Sequence, residues 1–119
     1  MTFRDIIEEI HRKDPGVRSG ALVGADGLTV EEWHAPGDDR DLSALCAEIV
    51  QIFRQSDRVA SDNGLGAAQE IQLAGDHALS FVRRVTADYF LVVVTTAATV
   101  PGRCRFLMRQ AARRAVERM

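Results

Sequence analysis

The sequence predicts an α+β sandwich, a five-stranded antiparallel sheet covered on both faces by three amphipathic helices. Three observations lead there. Apolar residues recur with helical period near the start, in the middle and at the end of the chain. Five strand-like runs fall into a group of two and a group of three. The turns inside each group are too short for a crossover, which makes the pairing antiparallel. With 119 residues, 46% of them apolar and 27% charged, residues 1–119 are expected to form one domain with one core rather than a disordered chain.

The first helix spans Thr2 to Lys13 and buries Phe3, Ile6, Ile7 and Ile10. Thr2 is its N-cap and Asp5 completes a capping box. Asp5, Glu8 and Glu9 lie near its start, with Arg12 and Lys13 near its end, as the helix dipole favours. Pro15-Gly16 ends it. Val17 to Gly24 is the first strand. Asp26-Gly27 then reads as a type I′ hairpin turn into a return strand, Leu28 to Trp33. Glu31 and Glu32 break the alternation there, as on an edge strand guarded by charge.

A polar loop follows, with Asp38 or Asp39 expected as N-cap of the longest helix, Asp41 to Asn63. Its apolar stripe holds Leu42, Leu45, Cys46, Ile49, Ile52, Phe53 and Ala60, with Val50 and Val59 at the margins. Together they cover roughly half the circumference, where about 100° is enough to lie on a sheet. The surplus implies a second surface, most simply the same helix of a second copy; a helix buried wholly within one subunit is the other reading. The opposite face carries Ala44, Ala47, Glu48, Gln51, Arg54, Gln55 and Arg58.

Asn63-Gly64 stops the helix, with glycine taking the left-handed conformation. Three strands follow, Ala67 to Ala74, His77 to Val85 and Tyr89 to Thr96, separated by Gly75-Asp76 and Ala87-Asp88. The last of them, YFLVVVTT, is the most apolar and belongs at the centre of the sheet. Pro101-Gly102 precedes the final helix, whose buried stripe is Cys104, Leu107, Met108, Ala111 and Ala115. Six arginines share that helix: Arg103, Arg105, Arg109, Arg113, Arg114 and Arg118.

Chemistry is sparse. His11, His34 and His77 lack partners at metal-ligand spacing, and Cys46 and Cys104 are not paired as in a zinc site. No serine sits in a nucleophile elbow. Gly64-Leu65-Gly66 lies between a helix and a strand, the reverse of a phosphate-binding loop. Asp38, Asp39 and Asp41 suit helix capping better than a cation. Fifteen basic against seventeen acidic residues give no overall field for nucleic acid, and the arginines lack interleaved aromatics. No run spans a bilayer and no signal-peptide core is seen, so a cytoplasmic protein is expected, with neither catalytic site nor cofactor.

Pro15-Gly16-Val17, Gly20-Ala21-Leu22-Val23 and Asp26-Gly27-Leu28, followed in register by the long helix, the apolar fifth strand and the arginine-bearing last helix, carry a resemblance. Over nearly its whole length the chain resembles the Roadblock / dynein-light-chain domain, in particular its bacterial MglB-like branch. The resemblance implies a profilin-like sandwich with sheet order 2-1-5-4-3, the long helix on one face and the terminal helices on the other. That arrangement would hold Cys46 and Cys104 too far apart to bridge. It further implies a homodimer joined long helix to long helix and third strand to third strand, placing Cys46, Val50, Phe53, Gln69, Glu70, Ile71, Gln72 and Leu73 at the interface.

In function the resemblance implies a non-enzymatic regulator that binds a small Ras-like GTPase and favours GTP hydrolysis by it, as in cell-polarity signalling. The implied contact face is Ala44, Ala47, Glu48, Gln51, Arg54 and Arg58. The alternative is a scaffold in a multiprotein signalling or motor-type complex without a GTPase. A small-molecule sensor is a third reading, which would need an internal cavity.

Overall fold

The computed structural model describes residues 2–117. Its elements run α1 (Phe3–Lys13), β1 (Val17–Gly24), β2 (Thr29–His34), α2 (Leu42–Asp62), β3 (Glu70–Ala74), β4 (Ala78–Arg84), β5 (Tyr89–Thr96) and α3 (Pro101–Glu117). The sheet order is β2-β1-β5-β4-β3 and every neighbouring pair is antiparallel. β5 lies at the centre and is buried from Phe90 to Thr95, which explains its unbroken apolar run.

Local chemistry sets the helix ends. Thr2 and Asp5 form the capping box of α1, each side chain binding the other's backbone N–H. Asp41, not Asp38 or Asp39, caps α2 through Oδ1, which accepts the Ala44 N–H at 3.2 Å. Asp38 is diverted because its Oδ2 lies 2.6 Å from His34 Nδ1. Pro101 occupies the first position of α3, where its missing N–H costs nothing.

The hairpin between β1 and β2 also differs from expectation. Gly27 has φ +86° and, among the described residues, no non-glycine residue has positive φ, so Asp26 cannot sit in a type I′ turn. Instead Gly27 N–H donates to Gly24 O and Gly24 N–H to Leu28 O, both at 2.9 Å. This is a three-residue loop closed by a left-handed glycine. β3 is shorter than the sequence suggests, beginning at Glu70. Gly66 at φ +82° and the bond from Ala68 N–H to Asp57 hold the preceding residues off the strand line.

The sheet separates two cores. On one face Phe3, Ile6, Ile7 and Ile10 of α1 and Cys104, Leu107, Met108 and Ala111 of α3 meet Val17, Leu22, Trp33, Leu79, Phe81, Leu91 and Val93. On the other, Leu42, Cys46, Ile49, Val50 and Phe53 of α2 cover Ala21, Val23, Val82, Phe90, Val92 and Val94. Cys46 and Cys104 therefore lie on opposite faces, both buried and free. A Cβ on Gly20 would approach Ile7 Cδ1 to 2.6 Å, so glycine there lets α1 settle onto the sheet.

Candidate partner interface

The phase of α2 decides what it offers to a partner. Its sheet-facing line is Leu42, Cys46, Ile49, Val50 and Phe53, each no more than 1% exposed. Cys46, Val50 and Phe53, expected at a helix-to-helix interface, are thus turned onto the sheet of their own chain. Taking 100° per residue, these five span about 100° from Ile49 to Val50, so Val50 stands at the margin of the sheet-facing arc and is nonetheless buried there.

The surplus apolar residues lie together on one flank. Ile52 is 43% and Val59 61% exposed, and the neighbouring Leu65, between two left-handed glycines, is 77% exposed. These three border a shallow cleft with Gln55, Ser56 and Ala60. Ile52 and Val59 belong to the stripe read from the sequence. Leu65 is signalled there only as a large apolar residue flanked by glycines.

β3 is an outer strand of the sheet. Ile71 packs against the α2 core, and Leu73, two residues on and so on the same face, is half exposed. Glu70 and Gln72 point to the α3 face, where Arg83 reaches Glu70 at 3.2 Å and Arg105 reaches Gln72 at 3.4 Å. Gln69 lies before the strand, although its carbonyl accepts the Arg84 N–H at 2.8 Å. The chain therefore presents a free strand edge and, on the α2 face, uncovered apolar side chains on both α2 and β3.

The outer face of α2 is polar. Ala44, Ala47, Glu48, Gln51, Arg54 and Arg58 are all exposed, and Arg54 and Arg58 make no ion pair among the described residues. Beneath this face the helix is pinned by Arg84, whose guanidinium lies 5.2 Å from the Phe53 ring centre and 5.6 Å from that of Phe90. The rings themselves are 4.7 Å apart. Such cation–π contacts are stronger when partly desolvated.

Two features escaped the sequence. His34 Nδ1 binds Asp38 at 2.6 Å and its Nε2 lies 3.6 Å from Glu32, a cluster formed by a four-residue spacing across a loop. It ties the end of β2 to the approach to α2. His11 Nδ1 faces Val17 O at 2.6 Å and its ring sits 5.0 Å from that of Trp33. Among the described residues no group of three or more His, Cys, Asp or Glu side chains is placed to hold a metal. Burial pushes both thiols up to about 12, helped by Glu32 at Cys46 and by Asp14 at Cys104. No helix among the described residues is long and apolar enough to cross a membrane.

No family model matches the chain. Two uncharacterised proteins of Methanocaldococcus jannaschii are each 27% identical over 100 residues, covering 84% of this chain and 85% of theirs. Among solved structures, the gliding protein MglB of Thermus thermophilus superposes with a TM-score of 0.86 at 18% identity, covering 97% of this chain and 86% of that one. A Roadblock/LC7 domain of Streptomyces avermitilis gives 0.82 at 16% identity, covering 94% and 92%. Acanthamoeba castellanii profilin IA gives 0.63 at 15% identity, covering 98% of each chain.

Proposed function

We propose, from the Roadblock/LC7 fold that this chain has, that it is a cytoplasmic, non-enzymatic regulator that dimerises and docks a small Ras-like GTPase. The observation that carries the reading is the pairing of an uncovered apolar flank on α2, Ile52 and Val59, with the uncovered edge of β3. A second copy that pairs its own β3 there extends the sheet and shields both helix flanks at once. The dimer contacts are then Ile52, Val59, Leu65 and Leu73, with Gln69 to Leu73 supplying backbone pairing.

Dimerisation through that flank leaves the polar face free. Ala44 and Ala47 keep a partner's approach close, while Glu48, Gln51, Arg54 and Arg58 supply hydrogen bonds and charge. In this reading the platform stimulates hydrolysis by holding the GTPase in its competent conformation, and population shift rather than a donated side chain does the work. Capture from source-cell lysate with GDP and with a non-hydrolysable GTP analogue tests the reading. A Ras-sized protein held only with the analogue supports it. Identical non-GTPase partners under both nucleotides favour the scaffold alternative, which uses the same surfaces.

A further inference from the structure

The outward face of α3 lies on the opposite side of the sheet from α2 and has no role in the contacts above. Taking 100° per residue, Phe106 and Arg113 occupy its outward centre, with Arg103 and Arg109 about 60° to either side. All four are exposed, and Phe106 is 57% exposed. From Tyr89 to Val116 the sequence holds five arginines and no acidic residue. The first turn of α3 likewise carries Arg103 and no acid. A cation at the positive end of a helix opposes the dipole, so an anionic counterpart would relieve that repulsion.

Two neighbouring acids are engaged elsewhere, while Glu8 of α1 is exposed. Glu9 of α1 is held by Arg114 and Lys13, and Glu70 of β3 is held by Arg83, with Arg109 4.0 Å away. Glu117 is exposed at the far end of the helix. Arg103 and Arg113 make no ion pair among the described residues.

We infer that this face docks the protein on an anionic lipid surface. The charge complementarity is to a sheet of negative headgroups. The form is a convex helix ridge with one protruding aromatic among cations, which suits a flat interface that Phe106 enters while the arginines meet the headgroups. A peptide partner would instead call for a groove around the aromatic. Because α2 faces the other way, a protein bound there and a membrane under α3 do not compete.

The test is flotation of the full chain with phosphatidylcholine vesicles, with and without about 30% phosphatidylglycerol, at low and raised salt. Binding is expected only to the anionic vesicles and is expected to fall with salt. Each arginine near the surface contributes about fivefold in partitioning, so R103E/R113E lowers it by roughly 25-fold or more. F106S lowers it at low and raised salt alike, whereas R58E on α2 leaves it unchanged. Thermal melts of each variant confirm the fold, and R103E removes an unfavourable dipole contact rather than a packing one. Equal binding to neutral vesicles, no binding to either, retained binding by R103E/R113E, or binding to a DNA duplex without binding to vesicles would each overturn the inference.

Discussion

Arg84 and Asp57 meet at 3.4 Å and both grip the backbone of one residue. Asp57 Oδ1 accepts the Ala68 N–H at 2.8 Å, and Arg84 Nε donates to Ala68 O at 2.9 Å. The last turns of α2, the loop after it and the end of β4 are thereby locked together. This lock sets the α2 flank relative to the β3 edge, and so bears on the interface proposed above. R84A removes hydrogen bonds and the contact with two aromatic rings at a mostly buried site. It is expected to cost about 2 kcal/mol in chemical denaturation and to weaken self-association.

The phase of α2 predicts opposite outcomes for neighbouring substitutions. I52D and V59D place charge on an exposed flank and are expected to give folded monomers by light scattering. V50D buries an unpaired charge in the core beneath α2, at a cost on the order of 4 kcal/mol, and is expected to unfold the chain. A folded V50D monomer would show that α2 is rotated from the orientation described.

Glu9 links α1 to α3 through Arg114 and is also paired with Lys13 at 3.2 Å. The Arg114 and Lys13 contacts hold its carboxyl below the usual value of 4.5. A depressed carboxylate contributes stability that is fully present above its unfolded value and lost as pH falls through its folded one. E9Q is therefore expected to lower Tm modestly at pH 7, with the difference from wild type vanishing under acid below that range. A difference that persists at strongly acidic pH would mean packing, not charge, is responsible.

Both cysteines should resist alkylation at pH 8 in the folded protein, because burial pushes each thiol up to about 12. Mass spectrometry is expected to show labelling of Cys46 and Cys104 only in denaturant. Rapid labelling of Cys46 alone would indicate that α2 lifts from the sheet.

Much of this architecture is legible in the sequence because local and global signals agree. Thr2 with Asp5 and the YFLVVVTT run each act within a few residues and sit where the pattern places them, while Pro101, expected just ahead of the last helix, is its first residue. What the sequence misplaces depends on distant geometry. Ile49 and Ile52 are the same side chain three positions apart, yet one is 1% and the other 43% exposed. Hydrophobicity alone cannot separate a core contact from an exposed apolar flank, so the pattern groups Ile52 with the core residues of the stripe and does not show that of the two marginal valines Val50 is buried and Val59 exposed. Asp41 displaces its neighbours as N-cap because Asp38 is taken by His34, a contact made only once β2 is in place. The outer face of α2 is easier to read, since its polar residues have no competing place in a core.

The most direct measurement compares GTPase capture by immobilised wild type, R54E and I52D in the presence of a non-hydrolysable GTP analogue. Wild type is expected to retain a Ras-sized GTPase, R54E to lose it while remaining dimeric, and I52D to lose it through loss of the dimer. A GTPase retained equally by R54E would contradict the assignment of the α2 outer face, and its absence from wild type under every nucleotide would contradict the regulator reading itself.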